Sequence, residues 1–317
     1  MTSITIRSDA PQLRFLPAHT LLDRVGRTPL IRLARVVSGI SPSVEVYAKA
    51  EWFNPSGSVK DRPAASILRH AVERGELNSG RILLDATSGN MGIAYACLGA
   101  ALGIRSRLAI PANANRQRLT MLRALGAELE LTDPLEGTDG ARAVASELAS
   151  RDPGLYYFAD QYANPANWQA HFESTGPEIV EQTNSRLTHF IAGLGTTGTM
   201  VGTGRYLRQA LPDARLVAVQ PDGPMHGLEG LKHLPTSHVP PIHDRALPDE
   251  TVGVSTEEAY AMALRLAREE GLLVSVSAAA AAVAALRLAE RLQSGVLVVL
   301  FPDAASKYLD EPFWRGG

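Results

Sequence analysis

Residues 44–65 read VEVYAKAEWFNPSGSVKDRPAA, and this stretch combines the three patterns of an α/β unit. A β-branched run at 44–51 predicts a strand, a glycine turn follows it, and an alanine-containing run predicts a helix. Pro63 is tolerated only within the first turn of that helix, because deeper in it would cost about 3 kcal/mol. The turn therefore brings Lys60 to the mouth of a helix.

The same order of elements recurs along the chain. Short apolar runs followed by helical stretches predict strands at 44–51, 81–87, 106–111, 128–133, 155–160, 188–195, 215–221 and 296–303. Strands that alternate with helices predict parallel sheets covered on both faces. The sequence thus predicts an α/β fold.

Composition limits the function. The chain has 317 residues, 45% of them hydrophobic, and a formal net charge of −2, so no global field favours nucleic acid or an anionic membrane. The N-terminal residues have no apolar core of signal-peptide length, and no apolar run approaches the ~18 residues of a membrane span. A single cysteine, Cys97, fits a reducing compartment. We expect a cytoplasmic protein whose partners are small molecules.

Two further segments carry signals. Ser255 and Glu258 form a capping box before an amphipathic run, and residues 278–292 are strong helix formers. Residues 221–250 are rich in proline, glycine and histidine without a clear period, and a loop of this length is usually functional. Its four histidines match no zinc spacing, so we expect no metal.

GLGTTG at 193–198 follows a predicted strand and precedes a predicted helix. It matches the GxGxxG pattern, so an NAD-binding oxidoreductase is one interpretation. That interpretation requires an Asp or Glu at the end of the next strand, where this chain has Gln220. It also leaves Lys60 unexplained. Glycines and threonines at a strand-to-helix turn more generally indicate phosphate binding.

A second polar turn, TSGNMG at 87–92, also lies between a strand and a helix, and its hydroxyls and backbone N–H groups suit a carboxylate. Ends of strands are where α/β folds bind ligands. A lysine that can lose its proton is the amine required for a Schiff base. Lysine, phosphate turn and carboxylate turn together indicate pyridoxal 5'-phosphate, an aldehyde that carries a phosphate.

At this point the sequence resembles the tryptophan-synthase-β-like pyridoxal-phosphate enzymes of fold type II, and among them the cysteine synthases. The similar blocks are GRTPLIRL (26–33), NPSGSVKDRPA (54–64), TSGNMGIA (87–94), QYANPANWQAH (161–171), AGLGTTGTMVGTGRYL (192–207) and FPDAASKYL (301–309). Six blocks in the same order span nearly the whole chain. The resemblance implies two parallel-sheet lobes with the cofactor between them.

Residue by residue, the resemblance implies that Lys60 forms the internal aldimine and serves as acid and base at the substrate α-carbon. Asn90 would bond the ring hydroxyl, and the phosphate would be held by Gly195, Thr196, Thr197, Gly198 and Thr199. The substrate carboxylate would be bound by Thr87, Ser88, Gly89 and Gln161. The cofactor is an electron sink, so a leaving group departs from the β-carbon and a sulfur nucleophile adds to an α-aminoacrylate.

The chain departs from the family pattern at several positions. Asp303 stands where we expect a hydroxyl near the pyridine nitrogen, a variant similar to the cysteine-synthase-B and O-phosphoserine-using branch. Met91 replaces a threonine, and SVSAAAA at 275–281 lacks a glycine. Lys232 lies where O-phosphoserine-preferring relatives carry a basic residue, so it is a candidate for the substrate phosphate, or else a surface lysine.

We therefore expect a cysteine synthase that uses O-acetyl-L-serine or O-phospho-L-serine. The lobes are expected at 46–155 and at 1–45 plus 156–317, in a homodimer. The sulfur donor would be sulfide, a carrier-protein thiocarboxylate or another thiol. The alternatives are a serine or threonine dehydratase, a specialised β-substitution enzyme, the NAD-binding oxidoreductase, and a catalytically silent pyridoxal-phosphate-binding subunit.

Overall fold

The computed structural model describes residues 20–78, 80–87 and 89–315. Its strands are Leu30–Arg32 (β1), Val44–Ala50 (β2), Ile82–Ala86 (β3), Ser106–Pro111 (β4), Glu128–Thr132 (β5), Tyr156–Phe158 (β6), His189–Gly193 (β7), Arg215–Pro221 (β8), Glu250–Val254 (β9) and Gly295–Phe301 (β10). Its α-helices are Asp61–Glu73 (α1), Asn90–Leu102 (α2), Arg116–Ala124 (α3), Gly137–Arg151 (α4), Pro165–Ala170 (α5), Gly176–Gln182 (α6), Gly198–Ala210 (α7), Thr256–Arg265 (α8) and Val276–Ala289 (α9).

The strands form two sheets. The larger has six strands in the order β1-β2-β10-β7-β8-β9, and all its pairs are parallel except β1 with β2. The smaller has four parallel strands in the order β5-β4-β3-β6. The predicted α/β class is confirmed, and every run predicted as a strand contains one.

Buried helices cover the sheets. Nearly every residue of α9 is buried, and its alanines pack closely against the larger sheet because their side chains are small. Helix α2 is buried beside the smaller sheet over most of residues 91–99, and its last turn is exposed. The buried parts of both helices are mainly apolar, so packing determines their position.

Strand pairing assigns two strands differently from the predicted lobes. Residues 46–50 were placed in the smaller lobe, yet β2 pairs with β1 and β10 of the larger sheet. Residues 156–158 were placed in the larger lobe, yet β6 pairs with β3 of the smaller sheet. Hydrogen bonding between distant segments decides this membership, and local sequence does not reveal it. The two lobes themselves stay a prediction.

Local signals at helix ends agree with the structure. Ser255 caps α8, since its hydroxyl accepts from the backbone of Glu258 and the Glu258 carboxylate accepts from the backbone of Ser255. Pro63 lies in the first turn of α1, as predicted. Between β8 and β9 the chain forms no helix or strand, which agrees with the irregular segment expected there.

Among the described residues, no helix is both long and apolar enough to cross a membrane.

Candidate active site

One cavity of about 180 Å³ lies where parallel strands of both sheets end. The loops that follow β2, β3, β6, β7 and β10 each contribute to its lining. Of the predicted site residues, the cavity is lined by Lys60, Thr87, Gly89, Asn90, Gln161, Gly195, Thr196, Thr197, Thr199, Lys232 and Asp303. Gly198 begins α7 directly beside this wall. Ser88 lies outside the described residues.

Lys60 is the N-cap residue of α1 and lies partly buried at the cavity. The preceding residues are fixed against the end of β10, because the backbone N–H of Val59 donates to Pro302 at 2.8 Å and Ser58 forms a bridge with Asp303. Burial lowers the pKa of the Lys60 amine, although Asp303 and Glu51 oppose that shift. A lysine of lowered pKa more readily supplies the neutral amine that reacts with an aldehyde.

The phosphate-type turn connects β7 to the N-terminus of α7. A Cβ at Gly195 would lie 2.4 Å from the carbonyl oxygen of Gly230, and one at Gly198 would lie 2.0 Å from Oδ1 of Asn167, so neither position accepts a side chain. Thr197 adopts φ = 69°, a strained backbone for a threonine, and strain of this kind is concentrated at functional sites. The backbone is therefore held open towards the cavity.

The carboxylate-type turn follows β3. The hydroxyl of Thr87 accepts hydrogen bonds from the backbone N–H groups of Gly89 at 3.1 Å and Gly92 at 3.2 Å. Gln161 lies beside this turn, where its side-chain amide donates to the carbonyl of Ala86 at 2.7 Å. These contacts shape the start of α2 before any ligand binds.

Asp303 and Asn90 meet in a compact polar network. Oδ2 of Asp303 accepts hydrogen bonds from Asn90 at 2.8 Å and from the hydroxyl of Tyr308 at 2.7 Å. Nζ of Lys307 donates to Oδ1 of Asn90 at 2.7 Å, which fixes the orientation of that amide. Burial raises the pKa of Tyr308 well above its ordinary value, so this phenol stays a donor. Asp303 therefore lies next to the residue predicted to bind the ring hydroxyl.

Two ion pairs involve residues that line the cavity. Arg118 of α3 pairs with Glu229, and its guanidinium also lies 4.6 Å from the centre of the Tyr308 ring. Lys232 pairs with Asp139 of α4 at 3.3 Å. Each pair joins a helix beside the smaller sheet to the irregular segment after β8.

The sequence interpretation missed several residues of this site. Arg118 and Glu229 line the cavity but lie outside the similar blocks. Tyr162 and Ser277 also line it, and they lie within QYANPANWQAH and SVSAAAA without having been assigned a role. Lys307 and Tyr308 are within the block FPDAASKYL, yet only its aspartate was assigned a role. The one signal available for Arg118 was an arginine on a helix close to the predicted carboxylate turn, which alone indicates little.

Two buried polar atoms at the cavity bear on whether a phosphorylated pyridine aldehyde fits there. Oγ1 of Thr197 and Oδ1 of Asp303 are buried without a hydrogen-bond partner among the described residues. Unpaired buried polar atoms are costly, so they indicate a missing polar ligand. The glycine turn lies at the N-terminus of α7, where the first backbone N–H groups have no partner within the helix and suit a phosphate. The cavity fits the cofactor.

The cavity places a lysine between two anion-binding turns at the carboxyl ends of parallel strands. This arrangement defines a class of enzyme that holds its cofactor through an amine. Residues 21–303 match the family model described as pyridoxal-phosphate dependent enzyme. This match covers well over half of the sequence, and the chain belongs to that family. The predicted family, fold type and cofactor are thereby confirmed.

Individual relatives are similar over nearly the whole chain. A cysteine synthase of Aquifex aeolicus is 50% identical over 92% of this chain and 90% of its own length. A cysteine synthase B of Pseudomonas aeruginosa is 42% identical over 92% of this chain and 95% of its own length. The crystal structure of a cysteine synthase from Entamoeba histolytica is 30% identical, with a TM-score of 0.92 over 99% of this chain and 94% of that one.

Proposed function

We propose that this protein forms L-cysteine from an activated serine, O-acetyl-L-serine or O-phospho-L-serine, and a sulfur donor. The observation that carries the proposal is the position of Lys60, which faces the same cavity as the phosphate-type turn and the carboxylate-type turn. Full-length similarity to proteins named cysteine synthase supports the same reaction.

Pyridoxal phosphate, when bound, withdraws electrons from the substrate α-carbon. The amine of Lys60 attaches the cofactor, takes the proton from the substrate α-carbon and later returns it. The turn at residues 195–199 holds the phosphate with backbone N–H groups and threonine hydroxyls. Thr87, Ser88, Gly89 and Gln161 orient the substrate through its carboxylate.

The ring nitrogen has two candidate partners. Asp303 was predicted for this role, and its unpartnered Oδ1 supports it. Its contact with Asn90, however, places it beside the group assigned to the ring hydroxyl. Ser277 lines the same cavity from the start of α9 and is the second candidate. Substitution of each residue separates the two.

The charge of the cavity lining influences which leaving group, phosphate or acetate, the site prefers. Lys232 lines the cavity, and its salt-bridge partner among the described residues is Asp139, an exposed carboxylate. A dianionic phosphate would compete with that carboxylate, whereas a neutral acetyl ester would not. Lys232→Met is therefore expected to raise KM for O-phosphoserine and to leave KM for O-acetylserine unchanged.

The test is a panel of serine derivatives mixed with the yellow, cofactor-loaded protein. O-Acetylserine or O-phosphoserine should shift the visible absorption, and added sulfide should restore the spectrum while cysteine accumulates. Pyruvate from L-serine without cysteine would instead support the dehydratase. Absence of any spectral change with all substrates would support the silent cofactor-binding subunit.

Three further expectations remain part of the proposal. The protein is expected to form a homodimer, which sedimentation analysis would test. Sulfide, a carrier-protein thiocarboxylate and another thiol remain the candidate sulfur donors, and comparison of their rates with one serine derivative would rank them. The protein is expected to act in the cytoplasm.

A further inference from the structure

Arg118 is a buried cation at the cavity, and no sequence motif predicts it there. Its side chain is only 4% exposed, and it lines the cavity with the substrate-facing turn. A Cβ built at Gly89 would lie 3.0 Å from Nη1 of Arg118 and 3.4 Å from its Cδ and Cζ. The guanidinium therefore packs directly against the turn proposed to receive the substrate carboxylate.

The guanidinium is charged and held in a fixed plane. Burial alone would lower the pKa of Arg118, but the hydrogen bonds to Glu229 raise it above its ordinary value. The ring of Tyr308 lies 4.6 Å below the guanidinium carbon and restricts its orientation. Tyr308 is in turn bonded to Asp303. Such a planar fork is preorganised for a carboxylate.

Glu229 already binds this fork with two oxygens. Its Oε1 contacts Nη1, and its Oε2 accepts from Nη2 at 2.9 Å. The geometry is that of a bidentate guanidinium–carboxylate pair. The Glu229 side chain is 40% exposed and belongs to the irregular segment after β8. If another carboxylate displaces Glu229 from Arg118, the Glu229 side chain can therefore turn into solvent.

We propose that Arg118 binds the α-carboxylate of the amino-acid substrate, and that Glu229 holds this position until the substrate arrives. The proposal rests on the proposed function, because it assigns a residue to the substrate of that reaction. Arg118 then completes the carboxylate site beside Gly89, and release of Glu229 frees the segment that carries it.

The test is equilibrium titration calorimetry on the cofactor-loaded protein with three probes. L-Serine has the carboxylate, L-serinamide lacks it, and O-phosphoethanolamine has a phosphate but no carboxylate. The variants are Arg118→Met, Arg118→Lys and Glu229→Gln. Arg205→Met is the matched control, because Arg205 also pairs with a carboxylate, that of Asp244, and lies 4.6 Å from an aromatic ring, away from this cavity.

Arg118→Met is expected to weaken L-serine binding roughly ten- to hundredfold and to leave L-serinamide binding unchanged. Arg118→Lys should fall between the wild type and Arg118→Met, since it keeps the charge and loses the fork. Glu229→Gln should tighten L-serine binding about threefold or more, because an internal competitor is weakened. Arg205→Met should match the wild type.

Other results overturn the proposal. Equal weakening of L-serine and L-serinamide would make Arg118 a structural residue. An effect on O-phosphoethanolamine alone would assign it to a leaving phosphate. If Glu229→Gln did not tighten L-serine binding, Glu229 would not compete with the substrate carboxylate for Arg118. Wild-type protein that takes up the cofactor but binds no amino acid would contradict the proposed function itself, which is a different outcome.

Discussion

The side-chain amide of Asn90 donates a 2.8 Å hydrogen bond to Oδ2 of Asp303, and this bond links the two sheets at the cavity. Asn90 begins the helix that follows β3 of the smaller sheet, whereas Asp303 follows β10 of the larger sheet. Tyr308 adds a second bond to the same oxygen of Asp303. The remaining oxygen is buried and unpartnered among the described residues, so it is available to a ligand.

Asp303→Asn removes the negative charge and keeps the size of the side chain. If Oδ1 of Asp303 bonds the ring nitrogen of the cofactor, this change should shift the visible absorption and slow cysteine formation at least about tenfold. Ser277→Ala is the comparison, because Ser277 is the other candidate. A shift in Ser277→Ala with an unchanged spectrum in Asp303→Asn would contradict the predicted role of Asp303.

Gly195→Ala tests the phosphate-type turn. The added Cβ would lie 2.4 Å from the carbonyl oxygen of Gly230, so one backbone segment must move. Displacement of this kind costs about 1–3 kcal/mol, and cofactor affinity should fall about tenfold or more. The measurement is titration of the cofactor-free protein with pyridoxal phosphate.

The control for that variant is Gly223→Ala, where no atom lies within 4 Å of the added Cβ. This variant should bind the cofactor as the wild type does. Equal affinity of Gly195→Ala and Gly223→Ala would mean that residues 195–199 do not hold the phosphate.

Arg62→Met tests the buried charge network beside Lys60. Arg62 bonds both Glu51, which is fully buried, and Glu178. Its removal leaves buried carboxylates with too little positive charge, so the free energy of unfolding should fall by about 3–5 kcal/mol. Urea denaturation measures this loss. Arg186→Met removes an exposed pair with Glu45 and should have little effect on the free energy of unfolding. Equal losses would contradict the role of burial.

Asp85→Asn tests a buried carboxyl under the carboxylate-type turn. Asp85 accepts from the backbone of Ala86 at 2.8 Å and of Gln161 at 3.3 Å, and burial raises its pKa from 3.8 to about 7. Because the folded protein holds a proton that the unfolded chain releases, this contribution to stability is complete below pH 3.8 and is lost as pH rises through about 7.

The expected size of that loss is on the order of 4 kcal/mol. The free energy of unfolding of the wild type relative to Asp85→Asn should therefore decrease between pH 5 and pH 8 in urea denaturation. A difference that stays constant with pH would show that Asp85 does not titrate in this range.

The sequence predicted the interior strands well because they are apolar and buried on both faces. It missed β1 and β9, which lie at the two edges of the larger sheet and whose residues are mostly only partly buried or exposed. An edge strand has one neighbour and a weak burial pattern, so its pairing is decided by distant segments. The membership of residues 46–50 was missed although β2 is an interior strand, because local sequence does not show that its partners are β1 and β10.

The site was predictable where function is encoded locally. Lys60, the glycine loop and the polar turn are each recognisable within a few residues. The pair of Arg118 and Glu229 joins residues 111 positions apart, and no pattern in either neighbourhood indicates the other. The partners of Asp303 were missed for a related reason, since Tyr308 turns back onto it through the short 3-10 helix Ala305–Lys307.

Reduction of the cofactor-loaded protein with borohydride, followed by peptide mapping, tests the central claim most directly. The chain has four lysines, Lys49, Lys60, Lys232 and Lys307, so the label has few sites to occupy. We predict that the reduced cofactor is found on Lys60 alone and that Lys60→Ala abolishes the label. A label on Lys232 or Lys307, or one that persists in Lys60→Ala, would contradict the account.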